Sequence, residues 1–181
     1  MGYAEASRIV DAERRDLFHY SDWCYNVPEW ISAIRKTWIV RLPNSAGLGK
    51  ITYYIGTIMG REMEWQAQSG VWRENEFWMM KASTVMPAKM NMHLKLRFET
   101  VGEGMTKAMC VMGFRTPYPL IGPFIDRFYL RKEAQRLVNI AVEGLKQVAD
   151  QHMVPPVELQ FERRKADHPG YTQAFVPFSL H

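Results

Sequence analysis

The stretch from residue 118 to residue 150 constrains the fold of this chain most, because it has the pattern of one long helix around which other elements must pack. It has no glycine or proline between Phe124 and Val142, and straight-chain helix formers fill its second half. Gly122-Pro123 is a start signal, since proline is tolerated in a first helical turn. We predict a helix that begins near this pair and ends before Pro155-Pro156.

The apolar residues of this helix fall on two nearly opposite faces, at about 100° per residue. The first face carries Ile121, Phe124, Ile125 and Phe128, and the second carries Leu130, Ala134, Leu137, Ala141, Leu145 and Val148. Two interpretations follow. The helix is buried on both sides, or its N-terminal half closes a cavity.

Strand patterns fill most of the chain before this helix. A first strand, Tyr3 to Val10, suits a sheet edge, and we expect two short helices after it, Glu13 to Tyr20 with Asp11 as its cap and Trp23 to Tyr25. The segment Asn26-Val27-Pro28-Glu29-Trp30 should break the second helix. Six consecutive strands are then predicted at Ile34 to Leu42, Lys50 to Met59, Glu62 to Val71, Phe77 to Val85, Asn91 to Glu99 and Thr106 to Phe114. A meander of this length should curl around a helix rather than lie flat.

Composition excludes several classes of protein. The net charge of +4 is spread along the 181 residues rather than concentrated, which argues against a nucleic-acid partner. No run of 18 apolar residues indicates a membrane span, and no secretory signal is visible at the start. Cys24 and Cys110 are isolated and the histidines form no metal pair, so we expect free thiols, no metal and a cytoplasmic protein.

The order of these elements, with several short motifs, resembles the START-like helix-grip superfamily of polyketide cyclases and dehydratases, lipid-transfer proteins and birch-pollen-allergen relatives. The motifs are Ile9-Val10-Asp11-Ala12, Ser21-Asp22, Asn26-Val27-Pro28-Glu29-Trp30, Gly47-Leu48-Gly49, the Gly60 to Trp65 stretch, Gly104-Met105-Thr106 and Leu120-Ile121-Gly122-Pro123-Phe124-Ile125-Asp126-Arg127. Together they cover roughly residues 3 to 150.

The resemblance implies an α+β fold in which a curved antiparallel sheet of six to seven strands wraps around the long C-terminal helix, with two short helices after the first strand. It places a helix-grip ligand-binding domain at residues 1–151 and leaves 152–181 as a C-terminal extension, extended or docked. Members bind hydrophobic small molecules such as lipids, quinones, hormones or polyketides in an apolar cavity between the sheet and the helix, and a minority catalyse cyclisation or dehydration there. We expect no cofactor in this chain. No catalytic residue is shared across the superfamily.

Alternation along the last strands selects the residues expected to face this cavity, which should measure a few hundred cubic ångströms. The predicted ligand-binding residues are Phe77, Met79, Met92, Leu94, Leu96, Phe98, Cys110, Met112, Phe114, Phe124, Ile125 and Phe128. Each could equally fill an ordinary core. Twelve methionines favour an adaptable binding surface.

Three functional classes remain open: a carrier or binding protein, a cyclase, aromatase or dehydratase, and an interaction module. An enzyme needs a buried titratable side chain in the cavity, and the weak candidates are Lys81, Tyr53, Tyr54 and His19. An interaction module predicts a small, filled interior and an exposed apolar patch.

The C-terminal extension alternates Val157, Leu159 and Phe161 with polar residues, which predicts an added strand or extended segment. Its last residues are too apolar for an ordinary flexible terminus, and we expect them to dock on the body or on a second copy, as in a homodimer. These residues are Tyr171, Phe175, Val176, Phe178 and Leu180.

Overall fold

The computed structural model describes residues 2–44, 48–86, 90–115 and 129–170. These residues form seven strands and four α-helices, with one 3₁₀ turn at Cys24–Asn26. In chain order they are β1 (Gly2–Asp11), α1 (Arg14–Asp22), α2 (Val27–Trp30), β2 (Ile34–Arg41), β3 (Ile51–Ile58), β4 (Arg61–Arg73), β5 (Phe77–Met86), β6 (Asn91–Gly102), β7 (Met105–Arg115), α3 (Arg131–Asp150) and α4 (Val157–Asp167).

All seven strands belong to one antiparallel sheet with the order β1-β7-β6-β5-β4-β3-β2. The six strands after α2 pair with their sequence neighbours, as hairpin-linked strands do. β1 joins at the far side by pairing with β7, so β1 and β2 are the two edges. The α+β architecture and the edge position of the first strand, both predicted from sequence, are confirmed.

The inner face of the sheet is the side on which the alternating apolar residues of β6 and β7 meet. Met92 pairs with Phe114, Leu94 with Met112 and Leu96 with Cys110, which puts each pair on the same face. α3 packs across β1 and β7, and its second predicted apolar face, from Leu130 to Val148, is buried. The first predicted face, with Phe124, Ile125 and Phe128, lies outside the described residues, as does the Gly122-Pro123 start.

The predicted break after Trp23–Tyr25 is wrong, because residues 27–30 form the short helix α2. Pro28 lies in its first turn, where a missing N–H costs no hydrogen bond. Asp11 does not cap α1, since it is the last residue of β1 and Glu13 precedes the helix without a side-chain cap.

The predicted strand at residues 157–162 is also wrong, because this segment is the helix α4. Val157, Gln160, Phe161 and Arg164 are buried, at a spacing of three and four residues, whereas Leu159 is exposed. The short Val–Leu–Phe alternation is equally compatible with one helical face. α4 packs on α1, where the backbone N–H of Val157 donates to a carboxylate oxygen of Asp16 over 2.9 Å.

Replacing Gly144 by alanine tests the closest approach between helices. A Cβ atom there would lie 1.8 Å from the carbonyl oxygen of Trp30, so α3 and α2 would have to separate. We expect Gly144→Ala to destabilise by at least the ~1–3 kcal/mol of an overpacked core, which outweighs a helix-propensity gain of about 1 kcal/mol. Urea unfolding measures the change.

Gly70→Ala is the matched control, because the nearest atom to a Cβ at Gly70 is 4.0 Å away, in ordinary contact. Its stability should stay close to that of the wild type. Equal stability of the two variants would contradict the packing of α3 on α2.

Candidate functional site

An apolar cavity lies inside the fold, between the inner face of the sheet and the helices α2 and α3. Its volume is about 60 Å³. Trp30 from α2, Leu137 from α3, and Trp65 and Trp78 from the sheet supply much of its wall. The remaining lining residues are Val27, Ile31, Ala33, Ile34, Tyr54, Thr57, Ile58, Met80, Ala82, Met92, His93, Leu94, Met112 and Phe114.

Four of the predicted ligand-binding residues line this cavity: Met92, Leu94, Met112 and Phe114. Three others, Leu96, Phe98 and Cys110, are fully buried in the core beside it but do not line it. Burial raises the pKa of the Cys110 thiol, so this residue is an apolar neighbour rather than a reactive group. Alternation thus identified the correct face of β6 and β7 but not the extent of the cavity.

Phe77 and Met79 lie on the opposite face of the sheet, and placing them in the cavity was wrong. The side chains that line it from β5 are Trp78 and Met80, which pair with Leu96 and Leu94 of β6. On the outer face the Lys95 ammonium lies 4.4 Å from the centre of the Phe77 ring. Because four successive apolar residues occupy both faces of β5, its sequence contains no alternation from which to choose the inner face.

The tryptophans of the cavity wall were not predicted from the sequence. Trp30 belongs to a segment that was expected to be irregular, and Trp65 lies in a strand whose inward residues were not assigned. Trp78 is fixed in place by its indole N–H, which donates to the Ser21 hydroxyl of α1 over 3.1 Å. Trp78 pairs with Leu96 of β6, which was predicted to face inward. The pairing of β5 with β6 therefore assigns Trp78 to the inner face as well.

The cavity is smaller than the few hundred cubic ångströms expected from the sequence, and that prediction is wrong for this conformation. Ligand pockets usually measure about 300–1,000 Å³. Three of the lining side chains are methionines, Met80, Met92 and Met112, whose flexible thioethers adapt to irregular shapes. These three side chains can therefore change the shape of the wall by changing rotamer.

Tyr54 is the candidate catalytic residue that lies in the cavity wall. Its ring is 2% exposed and stacks on Trp65 with ring centres 5.7 Å apart. Its hydroxyl is directed at the sulfur of Met80, 3.9 Å away, a weak acceptor. Burial raises the pKa of Tyr54 well above 10, so the phenol stays protonated and can donate a hydrogen bond.

A buried ion pair lies beyond Tyr54, at the end of α1. The Lys50 ammonium is 2.8 Å from a carboxylate oxygen of Asp22, and both residues are buried. Burial alone would raise the pKa of Asp22, but the charges of Lys50 and Arg164 hold it below its usual value. Burial raises the pKa of the nearby Cys24 thiol to about 11, so Cys24 is not a nucleophile at neutral pH.

The candidates Tyr53 and Lys81 are on the outer face of the sheet and do not meet the cavity. The Tyr53 hydroxyl donates to Glu64 over 2.5 Å, and its ring stacks on Trp38. Lys81 lines a separate, open groove with Gln66 and Gln68. Successive strand residues point to opposite faces, so Tyr53 and Tyr54 could not both face inward.

His19, a residue of α1, is fully buried where α1 meets α4 and is not part of the cavity wall. Its ring packs edge-on against Phe18 and Phe161, with ring centres 5.2 and 5.1 Å away. Both ring nitrogens lack a hydrogen-bond partner among the described residues, and Glu74 is 3.5 Å from Nε2. Burial, followed by the charge of Arg164, lowers the pKa of His19 to about 3.

Replacing His19 by phenylalanine should flatten the acid limb of the stability profile. Histidine in the unfolded chain has a pKa near 6.5, whereas the pKa of His19 in the folded protein is about 3. Between these two pH values the unfolded chain binds a proton at this residue and the folded protein does not. Stability should therefore fall as pH decreases through this window, by at most about 1.4 kcal/mol per pH unit from His19. Phenylalanine fills a similar space and removes this contribution.

Urea unfolding at pH 7.0, 5.5 and 4.5 measures the effect. His152→Asn, at an exposed histidine, is the control and should keep the wild-type slope. An unchanged slope in His19→Phe would show that His19 is solvated in the folded protein.

Known proteins match this chain through its structure. No protein-family profile matches the sequence, and no curated protein matches it. A START superfamily protein from Mycobacterium smegmatis superposes with a TM-score of 0.65 and 14% sequence identity, over 82% of this chain and 97% of that one. The Zhui aromatase/cyclase from Streptomyces sp. R1128 gives a TM-score of 0.56 and 15% identity, over 94% and 98% of the two chains.

A third match is the di-domain ARO/CYC BexL from the BE-7585A biosynthetic pathway, with a TM-score of 0.61 and 16% identity. It covers 86% of this chain and 48% of the di-domain protein. At identities this low, the superpositions establish a shared fold and nothing further. The chain has the helix-grip fold that its motifs resembled, and the described part contains no helix long and apolar enough to span a membrane.

Proposed function

We propose that this chain binds a hydrophobic small molecule, such as a lipid, a quinone or a polyketide-like compound, in the cavity between the sheet and α3, as a carrier or binding protein. The observation that carries the proposal is the chemistry of the wall. Aliphatic side chains, aromatic rings and thioethers make up almost all of it, and the polar groups are the hydroxyls of Tyr54 and Thr57 and the imidazole of His93. A wall of this kind excludes water and orients a guest through very few polar contacts.

The fold supports the same function. Among the structural neighbours are a START superfamily protein and two aromatase/cyclases, which share the sheet that grips a long helix. The free, buried thiols Cys24 and Cys110 suit a reducing compartment, and we place the protein in the cytoplasm on that ground.

The volume sets a condition on the proposal. A cavity of about 60 Å³ does not hold a lipid or a quinone, so the guest must displace side chains as it enters. Met80, Met92 and Met112 are the groups that can move with least cost, because thioether side chains have three rotatable bonds. Binding should thus depend on free space around these methionines.

Filling the cavity from β5 tests this dependence. Ala82 faces the cavity and pairs with Met92, so leucine at position 82 would occupy the space that a guest needs. We expect Ala82→Leu to weaken binding of menadione at least tenfold while keeping or raising the melting temperature, because a filled void gains contacts. Trp30, Trp65 and Trp78 line the cavity, so quenching of tryptophan fluorescence by menadione reports occupancy.

The control variant is Met79→Leu, on the same strand but on the outer face, and it should bind as the wild type does. Displacement of menadione by oleate would extend the ligand class to lipids. If neither compound binds in a saturable way, the carrier function is wrong and the small interior favours an interaction module.

A cyclase or dehydratase acting in the same cavity is the second candidate, and Tyr54 is the observation that favours it. In an intramolecular aldol reaction the α-carbon of one ketone loses a proton and bonds to a second carbonyl carbon, whose C=O π bond opens. The resulting alkoxide oxygen takes up a proton, so one proton moves net from carbon to oxygen, and water leaves in the later dehydration. A buried phenol that stays protonated can donate to that carbonyl oxygen. Of the four catalytic candidates, Tyr54 has the position for this role.

If the protein is such an enzyme, Tyr54→Phe should lower turnover of a poly-β-ketone substrate by about 10²-fold or more, the usual cost of losing one oxyanion donor. Affinity should change little, since the ring and its stacking on Trp65 remain. Tyr53→Phe, on the outer face, is the matched control. Equal turnover by both variants would exclude Tyr54 as the donor.

A further inference from the structure

A second cavity, larger than the first, lies outside the sheet–helix interior. It is a cleft of about 480 Å³ between α4 and the segment that runs from α1 to α2. Its volume falls within the range of about 300–1,000 Å³ that is usual for small-molecule sites. Since α4 belongs to the C-terminal extension, the cleft is separate from the site of the proposed function.

The wall from α4 carries positive charge. Arg164 is 1% exposed, and its guanidinium lies 4.8 Å from the centre of the Trp23 ring, while the same group donates to the backbone oxygen of His19. Arg163, the preceding residue of the helix, is exposed and forms no ion pair with the described residues. A guanidinium of this kind is a bidentate partner for a carboxylate. Asp167, one helical turn after Arg163 on the same wall, is exposed as well, so solvent screens both charges.

The opposite wall combines aromatic surface with one acceptor. Trp23 and Tyr25 both line the cleft. Trp23 is buried, with the Arg164 guanidinium over its ring, whereas Tyr25 is exposed and stacks on His168 with ring centres 5.4 Å apart. Glu29 of α2 accepts a hydrogen bond from the Tyr20 hydroxyl, and burial together with this bond raises the pKa of Tyr20. The phenol therefore stays protonated and occupies one carboxylate oxygen, and the other oxygen of Glu29 can accept from a donor in the cleft.

Gln160 adds a buried acceptor to the α4 wall. The residue is 4% exposed, and its Nε2 donates to the backbone oxygens of Asp16 and Pro155 over 3.0 and 2.7 Å. Both amide hydrogens are thus engaged, which fixes the side-chain orientation. Its Oε1 has no hydrogen-bond partner among the described residues. A buried oxygen in this condition normally receives a donor from water or a ligand.

We propose that this cleft binds an aromatic carboxylate that also carries a hydrogen-bond donor. The carboxylate pairs with Arg163, the ring lies against the exposed Tyr25, and the donor meets the unpartnered Oε1 of Gln160 or the second carboxylate oxygen of Glu29. A neutral aromatic molecule lacks the ion pair, and an aliphatic acid lacks the stacking surface. The ligand class is therefore distinct from the hydrophobic guest of the inner cavity.

Methionine methyl groups allow the two sites to be observed in one experiment. Met153 lines the cleft, whereas Met80, Met92 and Met112 line the inner cavity. The full chain, labelled with ¹³C at the methionine methyls, is titrated with 6-hydroxy-2-naphthoate and followed by NMR. We expect a saturable shift of the Met153 resonance. Shifts confined to the other three methionines would overturn the cleft proposal while supporting the inner cavity.

Two comparisons test the assigned contacts. 2-Naphthol, which lacks the carboxylate, should bind the cleft about tenfold more weakly than 6-hydroxy-2-naphthoate. Arg163→Gln should weaken the binding of 6-hydroxy-2-naphthoate by a similar factor, as expected for the loss of one charge-assisted hydrogen bond. Arg61→Gln, at an exposed arginine of β4 outside the cleft, is the control and should leave affinity unchanged. Equal affinities of wild type and Arg163→Gln, or of naphthol and naphthoate, would refute the proposed recognition.

Discussion

The close approach of α3 to α2 at Gly144 is the contact on which the interior depends. Only a residue without a Cβ lets the helix reach the backbone of Trp30, and Trp30 with Val27 then covers one end of the cavity. α3 is held from the other side by β1 and β7, because its apolar stripe matches their inner face. The cavity is what remains between a sheet that curves and a helix that cannot come closer.

Two kinds of surface meet at this interior, and each has a different physical role. The apolar wall with its methionines is adaptable, whereas the groups behind it are fixed by strong polar contacts. Lys50 and Asp22 form a buried ion pair, and Ser21 holds the indole of Trp78. The polar contacts hold the ends of the surrounding elements in place, whereas the methionine side chains can change rotamer without disturbing those contacts.

The C-terminal extension is attached by polar contacts that the helix-grip architecture does not require. Asp16 accepts from the first residue of α4, Gln160 bridges two backbone oxygens, and Arg164 reaches the end of α1. These contacts bury His19 and keep its ring neutral. Below a pH of about 6.5 the unfolded chain binds a proton at this residue and the folded protein does not, so the free energy of unfolding falls as the pH decreases. The tail residues from Tyr171 to Leu180 lie outside the described residues, so their predicted docking on a second copy stays a prediction.

By itself the sequence determined the order of the seven strands and the long helix, the inner face of β6 and β7 and the buried stripe of α3, because in each case one periodicity was the stronger. Tertiary structure decided the rest. The inner face of β5 follows from pairing with β6, since Phe77 to Met80 are apolar on both sides. The helical state of residues 157–167 follows from docking on α1, because three alternating residues fit a strand or a helix equally well. The size of the cavity depends on how closely helix and sheet approach, a distance that no local pattern contains.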